Sequence, residues 1–322
     1  MVHFHAGSKY YGDEGLRSVA DSVEMVVGDM RRPPEGLFEG VLAVVNLGGL
    51  SNDPTAEYNP KANHEMNTVA AIQLAEQCIA QGVPRYVFAS SCSIYDQGLG
   101  DEQRDILLDE EAPVFPKAAY SGSKRAAEVK LLELANPSFA PVILRKGTVF
   151  GFSPRMRYDL VVNTFVKDAL SKGVVTLHCG GEMWRPLVEV RDVAQAYVLA
   201  VQADTALVSG QIFNVVHKKY RISELALQVR DALRSSGVVC DVRPDYSYRG
   251  VRNYRVSGAK LQRVLGFQPK IDVHESVVDM LARIREGGYS DFENPKYYNI
   301  QWMRLLEQAH KVISVTGSIF EV

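Results

Sequence analysis

The sequence predicts an α/β protein: a doubly wound parallel sheet, abbreviated at its N-terminal side, followed by a smaller C-terminal lobe. Two observations predict it. Short, β-branched apolar runs recur along the chain, and the segments between them carry helical spacing of apolar residues, the alternation expected of a parallel sheet covered by helices. The composition agrees, since 322 residues with 46% hydrophobic and 23% charged side chains can bury a sizeable core.

The expected strands are 23–27 (VEMVV), 41–47 (VLAVVNL), 85–90 (RYVFAS) and 141–145 (PVILR). Each is short and continuously apolar, as strands buried on both faces must be. Between them lie two amphipathic helices, 61–81, with Ala70, Leu74, Ala75 and Cys78 on one side, and 118–136. Further helices are expected near 159–172, 191–203, 222–236 and 275–286, where the pattern loosens into pieces marked by Pro and Gly. A nucleotide-binding core is therefore placed in residues 1–155, with returning segments near 187–217, and a substrate lobe in 156–322. The Asp- and Glu-rich stretch 96–118 reads as a mobile surface connection.

Composition also limits function. The formal charge is −2 and the basic residues are dispersed, so neither a nucleic-acid nor an anionic-membrane footprint is present. Cys78, Cys92, Cys179 and Cys240 lack metal-like spacing, and no apolar run reaches membrane-spanning length. A cytoplasmic protein with reduced thiols, no metal and a small-molecule substrate is expected. His178 and His217 read as structural.

The stretch AAYSGSKRAAE at 118–128 sets Tyr120 and Lys124 four residues apart, so both project from one face of a helix. An ammonium beside a phenol favours the phenolate and makes tyrosine usable as an acid or base near neutral pH. The same spacing also fits an ordinary amphipathic surface helix.

Order and company decide between these readings. A strand ending in SSCSIY, an acidic loop DEEAPVFP, the Tyr120 helix, LRKGTVFG and later WRPLVEVRDVAQA follow one another. The succession resembles the extended short-chain dehydrogenase/reductase family with its Rossmann-like fold, specifically the nucleotide-sugar epimerases, dehydratases and reductases. It extends from VVGDM at 26–30 to LGFQP at 265–269. The resemblance implies an enzyme that uses NAD or NADP on a nucleotide sugar, usually as a homodimer formed through the helices at 61–81 and 118–136. It makes Tyr120 the acid/base, and gives Lys124 the roles of lowering its pKa and binding the nicotinamide ribose. Ser91 would bond the reacting sugar oxygen, while Ser90 and Ser93 would satisfy backbone groups. It further implies that Asp29 holds the adenine, that Gly48 and Gly49 form a close-approach turn at the cofactor, and that Asn67 lies near the active site. Arg185 and Arg252 become candidates for the pyrophosphate, with Asn163 lining the same cleft and Arg155 and Arg157 as weaker candidates.

Two departures qualify the resemblance. The family's G-x-x-G-x-x-G turn is not found: Gly7, Gly12 and Gly15 precede Asp29 too closely, and Gly7 stands where an acidic residue often grips the ribose. The first βα unit is expected to be absent, naturally or because the chain starts late. If so, VHFHA at 2–6 would take the first-strand position beside 41–47, with 23–27 outside it. The alternative function is a nucleotide-sugar-binding relative that has lost normal dinucleotide binding and turnover. The second departure is that Cys92 and Ser93 replace the Asp-Glu pair that the family's 4,6-dehydratases place after the active-site hydroxyl. Epimerisation or keto-sugar reduction is therefore favoured over dehydration.

Overall fold

A computed structural model describes residues 2–4, 23–26, 28–96, 106–247 and 252–317. At its centre, four parallel strands stand in the order Gln211–Val215, Ala140–Lys146, Arg85–Ser91, Ala43–Asn46. The register pairs Val44 with Tyr86, Val87 with Val142, Ser91 with Lys146 and Phe213 with Leu144. This is the Rossmann-like α/β arrangement that the alternating pattern predicts.

Strand pleating sends successive side chains to opposite faces, and the apolar runs fill both. On one face Val87, Ala89, Val142, Leu144 and Phe213 pack against Val193, Ala196, Tyr197 and Ala200 of the Val190–Gln202 helix. On the other, Tyr86, Phe88 and Ile143 meet Ala70, Ala71, Leu74 and Cys78 of helix 60–80 and Ala127 and Leu131 of the Ala119–Glu133 helix. Another core joins the helices Val161–Lys172, Ile222–Ser235 and Val273–Gly287, all close to their expected positions. It is flanked by a three-stranded sheet of Thr148–Phe150, Trp184–Glu189 and Lys218–Arg221.

Two expectations are corrected. Val2–Phe4 pairs in parallel with Glu24–Val26, the neighbour expected outside it, but not with Ala43–Asn46, so the two form a separate two-stranded ladder. The three residues of Val2–Phe4 can supply only a short ladder, and among the described residues only the edge facing Glu24–Val26 is paired. Among the described residues Ala43–Asn46 is therefore an edge strand, with Leu42 78% and Leu47 60% exposed. Second, residues 106–118 are not a free connection. Leu107–Leu108 pairs with Arg255–Val256, and the Glu110 carboxylate accepts the Asn214 amide at 2.7 Å. Residues 97–105, and Gly7, Gly12 and Gly15, lie outside the described residues.

Candidate active site

The strand Arg85–Ser91 delivers Ser91 to its C-terminal end, where the chain turns into a short 3-10 segment, Cys92–Tyr95. Open sheets of this kind hold ligands at that edge. The Ser91 hydroxyl accepts the Ser93 amide at 3.1 Å, and Ser91 is near enough to Tyr120 to favour its phenolate. Ser91, Tyr120 and Lys124 thus come together from the central strand and the first two turns of the Ala119–Glu133 helix.

Their electrostatics oppose one another. Burial pushes the Tyr120 phenol up, while the Ser91 hydrogen bond and the charge of Arg157 pull it down. Lys124 is 4% exposed, and burial brings its ammonium from 10.5 to about 7, helped by the nearby Lys146 and opposed by Glu128. Its ammonium lies 4.7 Å from the centre of the Phe88 ring.

Asn67 reaches the same place through a local irregularity. Helix 60–80 widens into a π-turn over Glu65–Val69, a feature often found at functional sites. The Asn67 amide nitrogen donates to Leu50 O at 2.9 Å and Asn63 Oδ1 at 2.7 Å, while its own Oδ1 is buried without a hydrogen-bond partner. Gly49, at φ +124°, faces it: a Cβ there would overlap Asn67 Oδ1 and come within 3.5 Å of the Lys124 ammonium. Only glycine fits so close an approach. A Cβ on Gly48 would meet Met30 Sδ at 2.7 Å.

The fit to a nicotinamide dinucleotide is consequently uneven. Tyr120, Lys124, Asn67 and the Gly48–Gly49 turn suit its ribose end, where an unpartnered buried amide oxygen and a side-chain-free turn are available. Toward the adenine, the Asp29 carboxylate is taken by Arg31 in a two-pronged pair of 3.0 and 2.5 Å, and no glycine-rich turn lies among the described residues.

The remaining candidates are engaged within the protein. Arg252 forms ion pairs with Asp53 and Asp96, and Arg185 donates to the carbonyls of Arg252 and Trp184 while stacking 5.5 Å from the Tyr254 ring centre. Arg157 holds Asp159 through two bonds and Ser51 through a third. Arg155 bonds Asn299 at 3.1 Å. Asn163 is 3% exposed and clamps both the amide and the carbonyl of Gly151 at 3.1 Å. His178 meets Asp245, and His217 meets the Ile271 carbonyl.

Sequence reasoning missed a buried network directly behind the site. Arg145 Nε and Nη2 bond the two Glu128 oxygens at 3.0 and 2.8 Å, Ser90 Oγ donates to Glu128 at 2.5 Å, and Arg145 Nη1 reaches the Tyr95 hydroxyl at 2.7 Å. Ser90 therefore serves this network rather than the backbone. The signal was present: an arginine closing an apolar strand run, and a glutamate one turn beyond Lys124.

Comparison with known proteins adds to this geometry. The model of the NAD dependent epimerase/dehydratase family matches residues 8–215. The chain is 23% identical over 260 residues to UDP-glucuronic acid decarboxylase 1 of Xenopus tropicalis, covering 80% of this chain and 59% of that one. It is 29% identical over 184 residues to the uncharacterized UDP-glucose epimerase YtcB of Bacillus subtilis, covering 56% and 54%. The chain thus spans little more than half the length of these relatives. Among solved structures, RMD from Pseudomonas aeruginosa complexed with NADPH superposes with a TM-score of 0.70 at 21% identity, covering 87% of this chain and 97% of that one. UDP-glucuronic acid 4-epimerase from Bacillus cereus, in complex with UDP-glucuronic acid and NAD, gives 0.73 at 17% identity, covering 88% and 90%.

Proposed function

Because the chain belongs to the NAD dependent epimerase/dehydratase family, we propose that it is an NAD(P)-dependent nucleotide-sugar epimerase or keto-sugar reductase acting through Ser91, Tyr120 and Lys124. The observation that carries this reading is the convergence of Ser91, at the end of its strand, with Tyr120 and the buried Lys124 one helical turn apart on the Ala119–Glu133 helix. Tyr120 exchanges a proton with a sugar hydroxyl as it interconverts with a keto group. Ser91 holds the reacting oxygen, and the charge of Arg157 favours the phenolate. Lys124, Asn67 and the Gly48–Gly49 turn would hold the nicotinamide ribose, and the bound cofactor supplies the means to accept and return a hydride. Arg185 and Arg252 would meet the diphosphate, which would have to displace Asp53 or Asp96 from Arg252. The proposal also includes the division into a core of residues 1–155, with its returning segments, and a substrate lobe of 156–322.

The uneven fit to the dinucleotide favours a second reading, a protein that binds nucleotide sugar without turnover. Titration of NAD(H) and NADP(H) followed by heat or fluorescence separates the two. The enzyme reading expects saturable binding of at least one, and loss of turnover in Tyr120→Phe with nucleotide-sugar binding retained. Binding of a nucleotide sugar with neither dinucleotide overturns it for this chain.

A further inference from the structure

We propose that Lys146 and Tyr197 form a carboxylate-binding corner beside Ser91, so that the preferred substrate is a nucleotide sugar acid rather than a neutral nucleotide sugar. The inference rests on the functional reading above and specifies its substrate class.

Lys146 ends the strand neighbouring that of Ser91, and the two residues are register partners. Parallel register turns both toward the same side of the sheet, the side covered by the Val190–Gln202 helix. From that helix Tyr197 rises to meet them, its ring centre 5.9 Å from the Lys146 ammonium. Tyr197 is 8% exposed, and its hydroxyl is buried without a hydrogen-bond partner. A buried, unsatisfied hydroxyl is costly, and its persistence next to a ligand edge points to a partner supplied from outside. The register pairing of Lys146 with Ser91 places the corner beside Ser91 rather than beside Arg185 and Arg252.

Charge then selects the ligand. Among the described residues no carboxylate pairs with Lys146: Glu128 is held by Arg145, and Asp53 and Asp96 by Arg252. Burial lowers Lys146 to about 8, and its charge depresses Lys124 in turn, with Glu128, itself held by Arg145, opposing the shift of Lys124. A carboxylate there accepts from both the Lys146 ammonium and the Tyr197 hydroxyl; a hydroxymethyl group offers the ammonium no counter-charge. On the functional reading above, a carboxylate carried by the sugar carbon next to the reacting one would come beside Ser91, where the register sets this corner.

The test is isothermal titration of wild type, Lys146→Met and Tyr197→Phe with UDP-glucuronic acid and UDP-glucose, with thermal melting to confirm that each variant folds. Wild type should bind the acid at least about tenfold more tightly than the neutral sugar, the range of one good charge-assisted contact. Lys146→Met should remove most of that preference and leave UDP-glucose affinity nearly unchanged, while Tyr197→Phe should reduce the preference several-fold. Equal wild-type affinities, or a preference that survives Lys146→Met, overturn the inference while the nucleotide-sugar reading stands. Failure of both sugars to bind wild type overturns that reading and the inference with it.

Discussion

Glu128 and Arg145 face each other through two parallel N–H···O bonds, with side chains only 0% and 2% exposed. The pair joins the helix that carries Tyr120 and Lys124 to the strand beside Ser91, and Ser90, Tyr95 and Arg125 bond to it as well. Removing one partner leaves the other as an uncompensated buried charge. Glu128→Ala should therefore lower unfolding stability by about 3 kcal/mol or more in urea titrations. A loss below about 1 kcal/mol would mean that the pair is not what ties helix to strand.

Stability should depend on pH through Lys124. Its native pKa is about 7 against an ordinary 10.5, so between those values the unfolded chain holds a proton that the native state lacks. Stability from this group rises as pH increases across that window, and the full penalty applies below pH 7. Lys124→Met should accordingly raise the melting temperature at pH 6.5 and flatten its rise toward pH 9.5. Parallel curves for variant and wild type would contradict this.

The charge of Arg157 favours the Tyr120 phenolate, and its loss should raise the phenol's pKa. In Arg157→Met, the rising limb of the kcat/KM profile attributed to a tyrosinate base should move to higher pH. An unmoved limb with a uniformly lower rate would assign Arg157 to binding alone.

Gly49 admits no side chain. Alanine there combines an unfavourable positive φ with overlap on Asn67 Oδ1, and should cost about 2 kcal/mol or more by thermal or chemical unfolding. The measurement also reports how firmly helix 60–80 is held to the turn, since the Asn67 amide already bonds Leu50.

Much of this arrangement can be read from the residues. Strands such as 85–91 and 140–146 are buried on both faces, so continuous apolar runs mark them directly, and the spacing of Tyr120 and Lys124 sets both on one helix face. Other features depend on contacts that local pattern does not encode. The π-turn at Glu65–Val69 inserts no breaker residue, so nothing in the run EMNTV distinguishes it from ordinary helix. Arg252 finds Asp53 and Asp96 across most of the chain, and Asn163 resembles any helix asparagine until Gly151 is seen against it. Val2–Phe4 has its expected outer neighbour, Glu24–Val26, but not its expected inner one, because an apolar run marks a strand without saying which of its edges are paired.

The edge formed by Ala43–Asn46 has a practical consequence for handling the protein. Among the described residues, one side of that strand offers unpaired amides and carbonyls, bordered by the exposed Leu42, Val45 and Leu47. Such a border is adhesive toward any extended polypeptide, whether a second molecule or a misfolded chain. Concentrated solutions should drift toward larger species with time, and a single lysine at Val45 should slow that drift in light scattering.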